Sequence, residues 1–162
     1  MTSVTLVRHF ETEWNRQGRI QGRSDQPLAD DVGAKARHRR PVTIGPKPLP
    51  WFTSPLRRAT ETATLLGCRD AARDSRLNEM DWGRWEGKRL QDLRATLGKK
   101  MARNESRGLD FRPDGGESPR EVSERVKVQF QVWPLRSGEL PARERGQQPW
   151  AIGEDERRVV QR

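Results

Sequence analysis

The feature that most constrains this chain is an alternation of short apolar runs with helical stretches. Val4 to Val7, VTLV, is a strand-length run of β-branched and aliphatic residues with no polar alternation, which predicts a core strand buried on both faces. Residues 31–40, DVGAKARHRR, predict a weak helix that ends before Pro41, and PVTIGPKPLP after it reads as a loop. WFT at 51–53 predicts a second strand. SPLRRATETATLLG then predicts a helix with Ser54 as N-cap, Pro55 at the first helical position, and Leu56, Ala59, Ala63 and Leu66 on one apolar face. A further helix is expected in GKRLQDLRATLG. Another opens at SPREVSERVKVQFQVW, where Ser118 and Glu121 form a capping box around Pro119, and Val122, Val126, Phe130 and Trp133 share a face. Strand, helix, strand, helix without internal repeats predicts an α/β domain with a mainly parallel sheet.

Length and charge limit what such a domain can do. The 162 residues suit one domain with one core. Only 31% of them are apolar against 34% charged, and the mean hydropathy of −1.03 predicts that part of the chain packs poorly. The net charge of +9 suits nucleic acid, acidic membrane surfaces or phosphorylated small molecules, and charge alone does not choose among them. Cys68 is the single cysteine, which excludes an intrachain disulfide, and no charged segment followed by an apolar one opens the chain. A cytoplasmic address is the default expectation. No apolar run approaches the ~20 residues of a membrane span, so a soluble protein is expected.

Arg57 and Arg58 break a local rule. They fall in the first turn of the helix after Ser54, where the positive end of the dipole repels them by ~0.3 to 1 kcal/mol each. The simplest compensation is an anion, phosphate above all, held by backbone N–H groups and arginine together. The alternative is that both guanidinium groups fan out into water, and this feature alone leaves the two readings level.

The stretch RHFETEWN, residues 8–15, follows the first apolar run directly. Ligands of α/β sheets bind beyond the carboxyl ends of the strands, which is where Arg8 and His9 are placed. A neutral imidazole nitrogen is a competent nucleophile toward phosphorus, and arginines beside it would neutralise and orient the phosphoryl oxygens. A lone histidine at a strand end is more often structural. The company of Arg8 and Asn15, and the arginine-bearing helix start further on, favours the chemical reading.

These residues stand in segments that resemble the histidine phosphatase superfamily, also called phosphoglycerate mutase-like. LVRHFETEWN is similar to the family's RHGxTxWN, and GRIQGRSDQPL to GRxQGxxDxPL. FTSPLRRATETA is similar to SxLxRAxxTA, RLNEMDWGRWEG to LxExxxGxWEG, and PDGGES to PGGES. The five matches are collinear over about residues 3–126. The resemblance implies a three-layer α/β/α fold with a mainly parallel sheet. It further implies that His9 becomes phosphorylated, that Arg8, Asn15 and Arg58 hold the phosphoryl group, and that Glu79 protonates the leaving oxygen and then activates water. The EMDWGRWEG wording looks more like the phosphatase members than the mutases, which read ERxYG here. A small phosphorylated metabolite is the implied substrate, with no metal or other cofactor, and the sequence has no cysteine and histidine cluster at ligand spacing.

Two departures stand out. Phe10 replaces the glycine that follows the catalytic histidine in the family, where the backbone passes close to phosphate. The family's second histidine, in an SHGG-like motif after a late strand, has no match; the other histidine, His38 in KARHRR, falls on a different element. Residues 1–130 are therefore read as the histidine phosphatase domain, lacking its late strand, and 131–162 as an atypical tail. A frameshift or a damaged gene would produce such a tail. Loss of that strand would leave the carboxyl-terminal part of the fold incomplete and expose apolar surface beside the catalytic strand.

Three functions compete at this point. They are a phosphatase acting through phosphohistidine, a family remnant that at most binds phosphate, and a basic nucleic-acid binder. The third is weakest, since no nucleic-acid motif is present and Trp14, Trp82 and Trp85 fall inside the phosphatase segments.

Overall fold

The computed structural model describes residues 5–37 and 50–132. Among them the chain forms α1 (Glu13–Arg16), α2 (Val32–Arg37), β1 (Phe52–Thr53), α3 (Arg57–Leu65), β2 (Ala72–Arg73), α4 (Leu90–Leu97), α5 (Lys99–Glu105) and α6 (Pro119–Val132). Short 3₁₀ turns lie at Ser75–Leu77, Gly83–Trp85 and Gly108–Asp110. β1 and β2 pair in parallel, with Phe52 opposite Ala72 and Thr53 opposite Arg73, and α3 is the crossover between them.

The first strand departs from expectation. Residues 5–7 belong to no strand, and Leu6 and Val7 are 68% and 49% exposed. An apolar run is buried on both faces only when strands flank it and helices cover it. The sheet formed by the described residues has two strands, and this segment is not one of them.

α3 starts two residues later than its sequence suggests. Ser54 does not cap it: its Oγ accepts from the Leu56 N–H at 3.3 Å and donates to Asn78 Oδ1 at 2.6 Å, which fixes the bend ahead of the helix. The N-cap is Leu56, which offers no side-chain acceptor. Asp25 supplies the missing one from a distant loop, its Oδ1 accepting from the Arg57 N–H at 2.6 Å. The buried side of α3 also differs from the expected apolar stripe. It runs through Arg58, Thr62 and Ala63, so a cation and a hydroxyl face inward.

Elsewhere the local signals hold. Ser118 Oγ accepts from the Glu121 N–H at 3.3 Å, and Glu121 Oε2 accepts from the Ser118 N–H at 2.8 Å, so the capping box opens α6. Val122 and Val126 are half-buried on that helix, whereas Trp133 lies outside the described residues. The helix expected from GKRLQDLRATLG forms as α4 and ends at Gly98, whose φ of +49° turns the chain into α5. His38, the proline-rich residues 41–49 and the tail from 133 onward lie outside the described residues.

The largest apolar cluster is not on the sheet. Trp85, Leu93 and Met101 pack with Ile20, Trp82, Leu90, Leu97 and Phe111. Phe111 meets Trp82 and Trp85 edge to face at 5.8 and 5.7 Å, geometry worth ~0.5–1.5 kcal/mol per pair beyond the area buried. This cluster braces the segment that follows Glu79.

Candidate active site

Arg58 is the most enclosed charged side chain of the site, 2% exposed. Its Nη1 donates to Ser24 O at 2.9 Å, and its Nη2 donates to Gly22 O at 2.6 Å and to Glu79 Oε2 at 2.9 Å. Burying a guanidinium is costly unless its donors are met, and here two carbonyls and a carboxylate meet three of its five N–H groups. Arg57, its neighbour, is exposed and pairs with Glu61 one turn on. The two arginines at the helix start thus divide the alternatives: one fans out and one turns in.

The loop that receives Arg58 is itself built around a carboxylate. Glu86 Oε1 accepts from the Arg23 N–H at 2.7 Å, while Oε2 accepts from the Ser24 N–H at 2.8 Å and its hydroxyl at 2.5 Å. Gly22 has φ +55°, and a Cβ there would lie 2.1 Å from Glu86 Oε1, so only glycine lets the carboxylate approach. A second close approach joins Gly83 and Gly116, where Cβ atoms would lie 2.4 Å from Asp114 O and Asp81 O respectively. The backbones cross there through Arg84 N–H to Asp114 O at 2.9 Å and Glu117 N–H to Asp81 O at 2.8 Å.

His9 is half-buried, with Nδ1 2.6 Å from Phe10 O. A carbonyl can only accept, so Nδ1 carries the hydrogen and Nε2 of the neutral ring keeps its lone pair. Burial, the largest influence, lowers the ring pKa from its ordinary 6.5; the Phe10 carbonyl pulls the other way, Arg58 and Arg8 reinforce the fall, and Glu79 opposes it. His9, Arg58, Glu79 and Arg8 therefore share one electrostatic neighbourhood. Phe10 contributes through its backbone: its N–H donates to Thr62 Oγ1 at 2.9 Å, and Thr62 Oγ1 donates to Arg58 O at 2.7 Å. The bulky side chain in place of glycine leaves both backbone groups in use.

Asn15 is tied into the start of α1. Its Oδ1 accepts from the Thr12 N–H at 3.0 Å and lies 2.9 Å from Thr12 Oγ1, while the Asn15 N–H donates to that hydroxyl at 3.2 Å. Thr12 is fully buried and also lies 2.8 Å from Gln21 Oε1. Arg8 is exposed.

Sequence reasoning passed over Asp25, Glu86, Glu117 and Arg125, although Asp25, Glu86 and Glu117 sit inside three of the quoted family segments. Their signal was a motif position with no chemistry attached. Among the described residues no group of three histidine, cysteine or acidic side chains is arranged to hold a metal ion, and no helix is long and apolar enough to cross a membrane. A groove of about 780 Å³ lined by Arg19, Trp85, Arg89, Leu93 and Lys100 among others includes none of His9, Arg58 and Glu79.

The model of the histidine phosphatase superfamily (branch 1) matches residues 4–152, and the chain belongs to that family. It is similar to a probable phosphoglycerate mutase GpmB of Salmonella paratyphi C (strain RKS4594), 37% identical over 137 residues that cover 78% of this chain and 60% of the relative. The chain thus spans about 60% of the length of the curated relatives it matches. Among solved structures it is similar to TTHB049 from Thermus thermophilus, with TM-score 0.64, 36% identity, and coverage of 80% of this chain and 71% of that one. It is also similar to a mycobacterial glucosyl-3-phosphoglycerate phosphatase in complex with VO3, with TM-score 0.59, 30% identity, and coverage of 82% and 68%.

Proposed function

We propose that the chain is a phosphatase that hydrolyses a small phosphomonoester through phosphohistidine at His9. The observation that carries this reading is the His9 ring, with Nδ1 on the Phe10 carbonyl and the lone pair left on Nε2, in the field of the buried Arg58 and of the exposed Glu79. Nε2 attacks phosphorus with its lone pair, the bond to the ester oxygen breaks, and Glu79 gives that oxygen a proton. Water then attacks the phosphohistidine, Glu79 takes its proton, the P–N bond returns its electrons to Nε2, and inorganic phosphate leaves. Arg58, Arg8 and the Asn15 amide balance and orient the phosphoryl oxygens. An arriving phosphoryl oxygen competes with Glu79 for Arg58 Nη2, which frees the carboxyl group for proton transfer.

The test is to expose purified protein to p-nitrophenyl phosphate and look for acid-labile phosphate on His9. It is expected in the full chain and absent in His9→Ala.

A second reading is an inactive family remnant that at most binds phosphate. It is favoured by one observation: the chain has two histidines, His9 and His38, and neither lies in an SHGG-like segment. Removing one charged stabiliser of such a transition state costs on the order of 10²-fold or more in rate. Saturable binding of inorganic phosphate without any phosphohistidine selects this second reading. Sequencing the gene beyond codon 120 in all frames tests the frameshift directly, since an SHGG-like segment in another frame is its expected mark.

A further inference from the structure

Glu79 projects from a segment that has little regular structure of its own. Residues 78–82 lie between two 3₁₀ turns, outside any helix or strand. What fixes them comes from α6. Arg125 Nη1 donates to Arg76 O at 2.5 Å, and Nη2 donates to Asn78 O at 2.7 Å and Glu79 O at 3.1 Å. The Arg125 side chain is only 17% exposed and is held in turn by Glu117, Nε to Oε1 and Nη2 to Oε2, both at 3.1 Å. Glu117 also accepts from the Asp81 N–H at 3.0 Å and from Arg23 Nη2 at 2.8 Å. One ion pair therefore anchors the backbone of residues 76, 78, 79 and 81, on both sides of the Glu79 side chain.

From this geometry we propose that Arg125, locked by Glu117, is a positioning residue for proton transfer by Glu79. The inference rests on the proposed phosphatase reading, because it needs Glu79 to be the acid. The division of labour is physical. Three main-chain carbonyls on one planar guanidinium fix where the Cα of Glu79 sits, and the carboxyl group stays free to exchange Arg58 for the leaving oxygen. A lysine cannot reproduce this, since it is a point charge without the fork. Burial pushes the Glu117 carboxyl up, but the Arg125 hydrogen bond, the Asp81 N–H and the charges of Arg125 and Arg23 together bring it below its ordinary range, so the clamp is ionised at neutral pH.

The leaving group supplies the test. An alkyl phosphate needs a well-placed acid, whereas p-nitrophenyl phosphate expels a stable phenolate and needs almost none. Full-length Arg125→Met is expected to lose about 10-fold to 10²-fold in kcat/KM on an alkyl phosphomonoester while phosphorylation of His9 by p-nitrophenyl phosphate falls less than about threefold. Arg125→Lys should recover only part of the alkyl activity. Equal losses on both substrates, or no loss on either, overturn the proposal. Glu79→Gln must show the same leaving-group dependence; if it does not while His9 is still phosphorylated, the acid assignment fails rather than the clamp. A readout without turnover covers an inactive protein or a poorly folding Met variant. In Arg125→Lys, amide exchange should quicken in residues 76–81 and not in α3, and unchanged exchange there overturns the anchoring.

Discussion

The two sides of the candidate site are held in place by different means. On one side Arg58 and Glu79 are fixed by polar contacts whose partners are all in view: carbonyls of residues 22 and 24, the Glu86 carboxylate behind that loop, and the Arg125 and Glu117 pair behind the other. On the other side His9 follows residues 5–7, whose Leu6 and Val7 are exposed, and its local ties are the Phe10 N–H to Thr62 and the Ala29 N–H to Glu11 O at 3.0 Å. A site can be assembled by short, directional contacts where burial of a sheet does not assemble it. The charged half of this site is thus held by its own contacts, whereas the placement of His9 depends on what covers the segment before it.

The largest break in that comparison is expected from Arg58→Ala. Removing the buried cation leaves two carbonyls without their donor and a carboxylate that is 42% exposed and can turn to water, so the loss of stability should be about 1–3 kcal/mol in urea denaturation. A loss below ~1 kcal/mol would show that the buried contacts do not support the fold. Next comes Glu117→Gln, read as stability against pH. The Glu117 carboxyl is held below its ordinary 4.5, so its contribution is present above that value and fades as pH falls through the lower folded value. The native chain should therefore lose stability below pH ~4.5 more steeply than Glu117→Gln. Parallel curves would remove Glu117 from the network.

The His9 side gives smaller effects. Because burial holds His9 below its ordinary 6.5, the ring stays neutral at pH 7, and the acid limb of kcat/KM should lie below pH 6.5. In the same direction, protonating His9 costs the folded state more than the unfolded one, so stability declines as pH drops below 6.5. Titration of the His9 ring by NMR checks both, and a midpoint above 6.5 contradicts them. The smallest change is expected from Val7→Thr. A half-exposed side chain should shift stability by less than ~0.5 kcal/mol. A loss beyond ~1 kcal/mol would mean that Val7 is covered after all, by a second chain or a further segment, and the contrast between the two sides would narrow.

Legibility follows the range of the physics. The capping box at Ser118 and Glu121 and the arginine anomaly at the start of α3 were readable, because caps and dipoles act within one turn. The family segments brought His9, Arg58 and Glu79 into the proposal, and the structure adds that Arg58 and Glu79 are in contact and that the charges of both bear on the His9 ring. Arg125 was not readable, since its partners lie 8 to 49 positions away in the chain and nothing local marks it. Asp25 stands at a motif position in GRIQGRSDQPL, but its capping of a helix that starts 32 residues later was hidden because the partner is not local. Residues 5–7 of the expected first strand are not strand, because apolar character reports a tendency to be buried and burial itself belongs to the neighbours.

The crossing of Gly83 and Gly116 carries a consequence for how this chain can vary. At each position the obstacle to a side chain is the carbonyl of the opposite stretch of backbone, 2.4 Å from where a Cβ would stand. A crowded side chain can be relieved by trimming its neighbour, but a crowded main chain has no second-site partner to trim. In a saturation library selected for folded protein, both columns should come back with a single letter, and no pairwise combination should rescue either. The segment bearing Glu79 and the one bearing Glu117 are thus spliced at a point where mutation has nothing to offer, and drift must happen around it.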